Sequence, residues 1–199
     1  MRARRHLRSG FTLVEAVIAL ALIGLVVTKL TLVMGDAQKA HSEETMAMAL
    51  EDQAMELIDK IAYAIVGSSA ASLDPENPVA PFSSPFMRYM ISLGVEDGKA
   101  VWSEPEEIGL SEGSGELYWG QNIGAENERR VVWANTVSEL LEDELANGAD
   151  DNGNELADEL GLAFVLDGAS VTIRLTLERI DGDGKRIQVT RWTSVTCRN

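Results

Sequence analysis

The chain has a single cysteine, Cys197, two histidines, His6 and His41, and no proline before Pro75. One cysteine excludes an intrachain disulfide and any thiolate metal cluster built from one chain. The histidines are equally limiting: His6 sits in a basic leader and His41 in a helical stretch, so neither has a Ser, Cys or metal-ligand companion for catalysis. The G-x-S-x-G, H-E-x-x-H, G-x-x-x-x-G-K-[ST] and G-x-G-x-x-G patterns are all missing. An enzyme is not expected. Positive charge is scarce as well, with 17 Lys plus Arg against 32 Asp plus Glu and a net charge of −15 over 199 residues. A polyanion such as DNA or RNA would be repelled, which argues against nucleic acid as a partner.

The charge is unevenly placed. Residues 1–10 hold Arg2, Arg4, Arg5 and Arg8 and no acid, so everything after them is more acidic still. Next comes an apolar run from Phe11 to Met34, broken by Glu15, Thr28 and Lys29. As a helix rising 1.5 Å per residue it reaches about 36 Å, against a hydrocarbon core of roughly 30 Å. The arginines on its amino-terminal side predict that this end stays in the cytoplasm and that the acidic remainder is exported. A signal peptide or a plain anchor must each account for Glu15, because a carboxylate inside such a run costs roughly 2.5–3.5 kcal/mol on insertion scales, and an ordinary signal peptide has no use for it. Lys29 lies near the far end of the run, where a long side chain snorkels toward headgroups, and is read as an interfacial anchor.

Ser9-Gly10-Phe11-Thr12-Leu13-Val14-Glu15, with arginines before it and an apolar helix after it, resembles the class III signal of type IV pilins and pseudopilins. The resemblance covers about the first 30 residues. It implies cleavage by a prepilin peptidase between Gly10 and Phe11, N-methylation of Phe11, and retention of the apolar helix. Glu15 would then pair with the positive amino terminus of a neighbouring subunit, which makes a costly carboxylate tolerable in lipid. Glycine suits the cleavage position because it lets a protease approach the backbone.

The rest of the chain predicts an α+β fold. Met46, Leu50, Ala54, Leu57, Ile61 and Ile65 recur at helical steps, so one helix is expected over 11–66. Its 11–34 half is the transmembrane and assembly half, following the cleaved leader 1–10, and 35–66 is the half that packs on the head. Residues 67–86 read as a Pro- and Ser-rich loop. Residues 87–199 form a β-rich head with short strands up to 135. Thr136-Val137-Ser138-Glu139 has capping-box form, and Val137, Leu140, Leu141 and Leu145 predict a short helix to about Ala146. Alternation from Val171 to Glu178 and a second run from Ile187 to Thr196 across Asp181-Gly182-Asp183-Gly184 predict a β-hairpin, with a third strand at 163–166. This layout is similar to the pilin fold, a membrane-spanning helical spine with an antiparallel β-sheet head. Its size and strand-rich end look most like a larger minor pseudopilin of the J type or a W-type minor pilin.

One segment suggests a ligand. Between Glu139 and Glu159 there are nine acids and no base. Asp150, Asn152, Asn154 and Asp158 fall at relative positions 1, 3, 5 and 9, with Glu159 beside them, a pattern that suits Ca²⁺. Glu155 stands where an EF-hand needs glycine and Gly161 where it needs a bidentate acid, so a calcium loop and a solvated acidic turn both remain open.

The sequence therefore points to a minor pilin-like subunit of a type II secretion pseudopilus or a type IV pilus. No cofactor is required, with Ca²⁺ the one candidate. Its expected partners are other pilin-like subunits, the prepilin peptidase and an inner-membrane assembly platform. Expected localisation is the inner membrane, single-pass, with the head periplasmic, and then the filament. The alternative is a single-pass membrane-anchored protein whose exported acidic domain binds calcium or another ligand.

Overall fold

The computed structural model describes residues 12–75, 82–111 and 113–197. One long helix, α1 (Leu13–Val66), is followed by ten strands in antiparallel sheets, an α+β pilin-like layout. The chain divides into two compact units, Met1–Glu44 and Thr45–Asn199.

Within the first unit α1 carries the apolar run, and its side chains from Leu13 to Met34 are exposed. The two hydroxyl groups in the run do not leave polar hydrogens unmet. Thr28 Oγ1 donates to the Gly24 carbonyl at 2.8 Å and Thr31 Oγ1 to that of Val27 at 3.0 Å, the local bonding that lets threonine sit in an apolar helix.

In the second unit α1 buries Leu50, Ala54, Leu57, Ile58, Ile61 and Ile65. The strands are β1 (Ser83–Ser84), β2 (Phe86–Tyr89), β3 (Ser92–Glu96), β4 (Lys99–Trp102), β5 (Glu106–Leu110), β6 (Leu117–Gln121), β7 (Arg129–Ala134), β8 (Leu162–Asp167), β9 (Ser170–Ile180) and β10 (Arg186–Thr196). They form sheets in the orders β1-β8-β9-β10 and β2-β5-β6-β7, with β3-β4 a separate hairpin. The alternation of β9 works as read: Val171, Ile173, Leu175 and Leu177 are buried, while Thr172 and Arg174 face the other way. One core cluster joins Leu50, Ile61 and Ile65 of the helix to Met87 and Ile108 of one sheet and Phe164 of the other. Burying each such side chain contributes about 1.5–3 kcal/mol.

Charged groups frame this core. Glu51 of α1 pairs with Arg191 of β10, and Lys60 lies 4.1 Å from the Trp133 ring centroid. Glu107, buried on β5, accepts from Arg88 Nε at 2.7 Å and from the Tyr118 hydroxyl. Burial first, and then Glu107, push that hydroxyl up to about 12.

Two expectations are corrected. The short helix over 136–146 does not form. Beyond Leu175, β8 no longer covers the edge of β9, and the 136–141 backbone takes its place. Ser138 N–H donates to the Thr176 carbonyl at 2.9 Å, Glu178 N–H to that of Thr136 at 2.7 Å, and Leu141 N–H to that of Glu159 at 2.9 Å. Those sheet-like bonds use the groups a helix needs, and β-branched Val137 is buried beside Leu177 in an isolated bridge. The 67–86 loop is also partly ordered into the sheets, since Ser83 and Ser84 pair with β8 and Phe86 opens β2.

Candidate functional site

The amino-terminal site is built around the start of α1. Thr12 is the N-cap residue and Glu15 stands three residues on, the spacing at which two side chains satisfy each other's backbone donors. Glu15 N–H donates to Thr12 Oγ1 at 3.3 Å, and Thr12 N–H donates to Glu15 Oε2 at 2.9 Å. The Thr12 hydroxyl donates to the same carboxylate oxygen at 2.9 Å. The negative group therefore sits at the positive end of the helix dipole, with its Oε2 twice bonded. This arrangement lowers the cost of keeping Glu15 in an apolar helix, and among the described residues both bonds fall on Oε2. Thr12 was not singled out from the sequence, although T-x-x-E before an apolar run is the signal that reveals it. Gly10 and Phe11, the expected cleavage pair, lie outside the described residues.

Lys29 is exposed on α1, as are the residues around it from Leu13 to Met34. The helix is long and apolar enough to cross a membrane.

The acidic loop was the second candidate site. Asp150 accepts through Oδ1 from Gly153 N–H at 2.6 Å and Asn154 N–H at 3.1 Å, and through Oδ2 from Glu155 N–H at 2.7 Å. Burial acts to raise its pKa, but the backbone donors of Glu155, Asn154, Gly153 and Asn152 outweigh it and hold the carboxyl below its ordinary value. Asp158 accepts from Asn147 N–H and Gly148 N–H at 2.9 and 3.0 Å. Glu159, with 2% exposure, accepts from the side-chain amides of Asn152 and Asn154 and from Arg174 at 3.4 Å. Glu144 is a buried member that sequence reasoning missed, and it accepts from Asn152 N–H and Asp158 N–H. The carboxylates thus face the loop's own donors. Among the described residues no group of three or more His, Cys, Asp or Glu is placed to hold a metal ion.

No curated protein and no solved structure matches the chain. The profile of the prokaryotic N-terminal methylation motif does, over residues 5–28, which takes in the Gly10-Phe11 junction, Glu15 and the apolar run as far as Thr28. The chain therefore carries the class III signal that is the signature of type IV pilins and pseudopilins.

Proposed function

We propose that the protein is a minor pilin-like subunit of a type II secretion pseudopilus or a type IV pilus. The observation that carries this reading is the methylation motif at residues 5–28 joined to a capped apolar helix whose one early charge is Glu15. In this account prepilin peptidase cuts between Gly10 and Phe11 on the cytoplasmic side and Phe11 is N-methylated. The helix stays in the inner membrane with the acidic head on the periplasmic side, and the function is polymerisation without chemistry on a substrate.

Assembly follows from charge. Removing ten residues creates a new cationic amine at Phe11, and two such subunits side by side each present an amine and a carboxylate at matching depth. Pairing Glu15 of one with the amine of the next replaces two unpaired charges in lipid with one compensated pair. Association is thereby favoured over the isolated subunit, and the register between neighbouring helices is set by where the charges meet.

The test is co-purification from membranes of cells that express the other pilin-like subunits of the same machine. The wild-type chain is expected to carry those subunits with it, and Glu15→Gln to reach the membrane but lose them. Equal co-purification of both would remove Glu15 from assembly, and no co-purification by either would leave a plain anchored protein.

A further inference from the structure

We infer that the solvent side of the β9-β10 ribbon, where the acidic loop closes over it, is a saccharide-binding site. The inference goes beyond the proposed function and does not depend on it.

The site is a depression of about 540 Å³ lined by Trp192, Arg174, Thr190, Glu142, Asp143 and Asn152, among others. That volume falls within the range of small-molecule sites. Trp192 and Arg174 are direct cross-strand partners, so their side chains rise from the same face, opposite the buried row of Val171, Ile173 and Leu175. Trp192 is 69% exposed, the most exposed tryptophan among the described residues. Most of a large ring with a polar N–H handle is therefore open on a face lined by polar side chains.

Chemistry around the ring narrows the ligand. Arg174 gives Nη1 to Glu159, and its Nε and Nη2 have no partner among the described residues. Glu142 and Asp143 are exposed and their carboxylates accept no hydrogen bond, while the Asn152 carbonyl oxygen is likewise unengaged. Donors and acceptors therefore surround one aromatic face. An anion would meet Glu142 and Asp143, and a cation would meet Arg174 and could use only half of the groups. A neutral molecule with an apolar face and hydroxyls that both donate and accept uses all of them, and a sugar ring is that molecule. Its C–H face would lie on Trp192 and its hydroxyls would reach Arg174, Asn152 and the carboxylates.

The loop's internal bonding supports a preformed site. Asn152 and Asn154 are tied to buried Glu159, and Glu142 N–H donates to Thr176 Oγ1 at 3.2 Å, which fixes the wall over the strand. Little ordering remains to oppose binding.

The experiment uses the full chain in a polyoxyethylene ether detergent, which has neither a sugar nor a charged headgroup. Binding is measured by calorimetry and saturation-transfer NMR for glucose, galactose, N-acetylglucosamine, cellobiose, lactose and chitobiose, with trilysine as the cationic comparison. Saturable binding of at least one sugar is expected. Trp192→Ala should weaken it by about tenfold, from the ring area it leaves uncovered. Trp192→Tyr should keep most of it, and Trp102→Ala, in the separate β3-β4 hairpin, should leave it unchanged. Because Trp192 is exposed, the melting curves of these variants should overlay that of the parent. Glu142→Gln distinguishes the ligand class, since it keeps a hydrogen-bonding oxygen but removes a charge: sugar binding should persist. No saturable binding of any of the six sugars, binding indifferent to Trp192→Ala, or binding of trilysine that Glu142→Gln abolishes would each overturn the inference.

Discussion

At the scale of single residues, Glu15 has two physical roles that ordinary mutagenesis would confuse. It closes a capping box with Thr12, and in the proposed assembly it is the charge that meets a neighbouring amine. Substitutions separate them. Glutamine is accepted in a capping box, so Glu15→Gln should leave helix content and insertion as they are yet fail in assembly, whereas Thr12→Val keeps the charge and loses the cap. Losing an N-cap costs about 0.5–2 kcal/mol, and the expected result for Thr12→Val is a frayed first turn, seen by amide exchange, with assembly weakened less than in Glu15→Gln. The reverse order would mean that capping, and not charge, is what assembly needs. Asp150 gives a second prediction at this scale. Its pKa is depressed in the folded state, so its contribution to stability is complete above its ordinary value of 3.8 and is lost as pH falls through the lower folded value. In an NMR titration the Asp150 carboxyl should titrate below its ordinary value, and in Asp150→Asn the difference in loop exchange should vanish at the acid end.

At the scale of elements, the same short pattern succeeded at one end of the chain and failed at the other. Thr12-x-x-Glu15 caps a helix because fifty-odd residues without proline follow it. Thr136-x-x-Glu139 does not, because Val137 and Leu140 are drawn into bridges with Leu177 and Leu160, and Thr136 Oγ1 is left buried without a partner. Tertiary pairing overrode a local signal that a sequence reading takes at face value. Alternation made β9 and its hairpin legible, since each side chain reports which face it occupies. The path of 136–138 was not legible, because its backbone bonds go to Thr176 and Glu178 of β9, far ahead in the chain. Gly161 marks where that path presses close: a Cβ there would lie 2.0 Å from the Ser138 carbonyl oxygen and 3.1 Å from Val137 Cγ1. Gly161→Ala is therefore expected to destabilise the head by more than about 2 kcal/mol in a denaturant melt. A variant within 0.5 kcal/mol of the parent, about the range of an inert surface change, would show that the loop does not pack there. The calcium reading of this loop rested on alternating oxygens. Asp150 and Asp158 spend those oxygens on backbone N–H groups, so a cation would have to displace the bonds that shape the loop. The expected melting temperature is the same with calcium, magnesium or chelator. A rise specific to calcium would mean that the ion replaces those donors.

For the whole molecule, the sequence divides into a part whose chemistry is local and a part whose chemistry is not. The basic leader, Gly10-Phe11, Glu15 and the apolar run lie within one short stretch, and for that reason both their pattern and their consequence could be read without a fold. The methylation motif over residues 5–28 lies within that stretch. The head offers no comparable motif. Its depression at Trp192 is assembled from β9, β10 and the acidic loop, so neither Trp192 nor Arg174 stands out until the strands are paired. The central claim concerns processing, and its most direct measurement is the intact mass and terminal sequence of the chain recovered from membranes after co-expression with a prepilin peptidase. The account predicts a mature chain beginning at N-methylated Phe11 with its apolar helix retained. A chain that still begins at Met1, or one that begins beyond Met34, would contradict it.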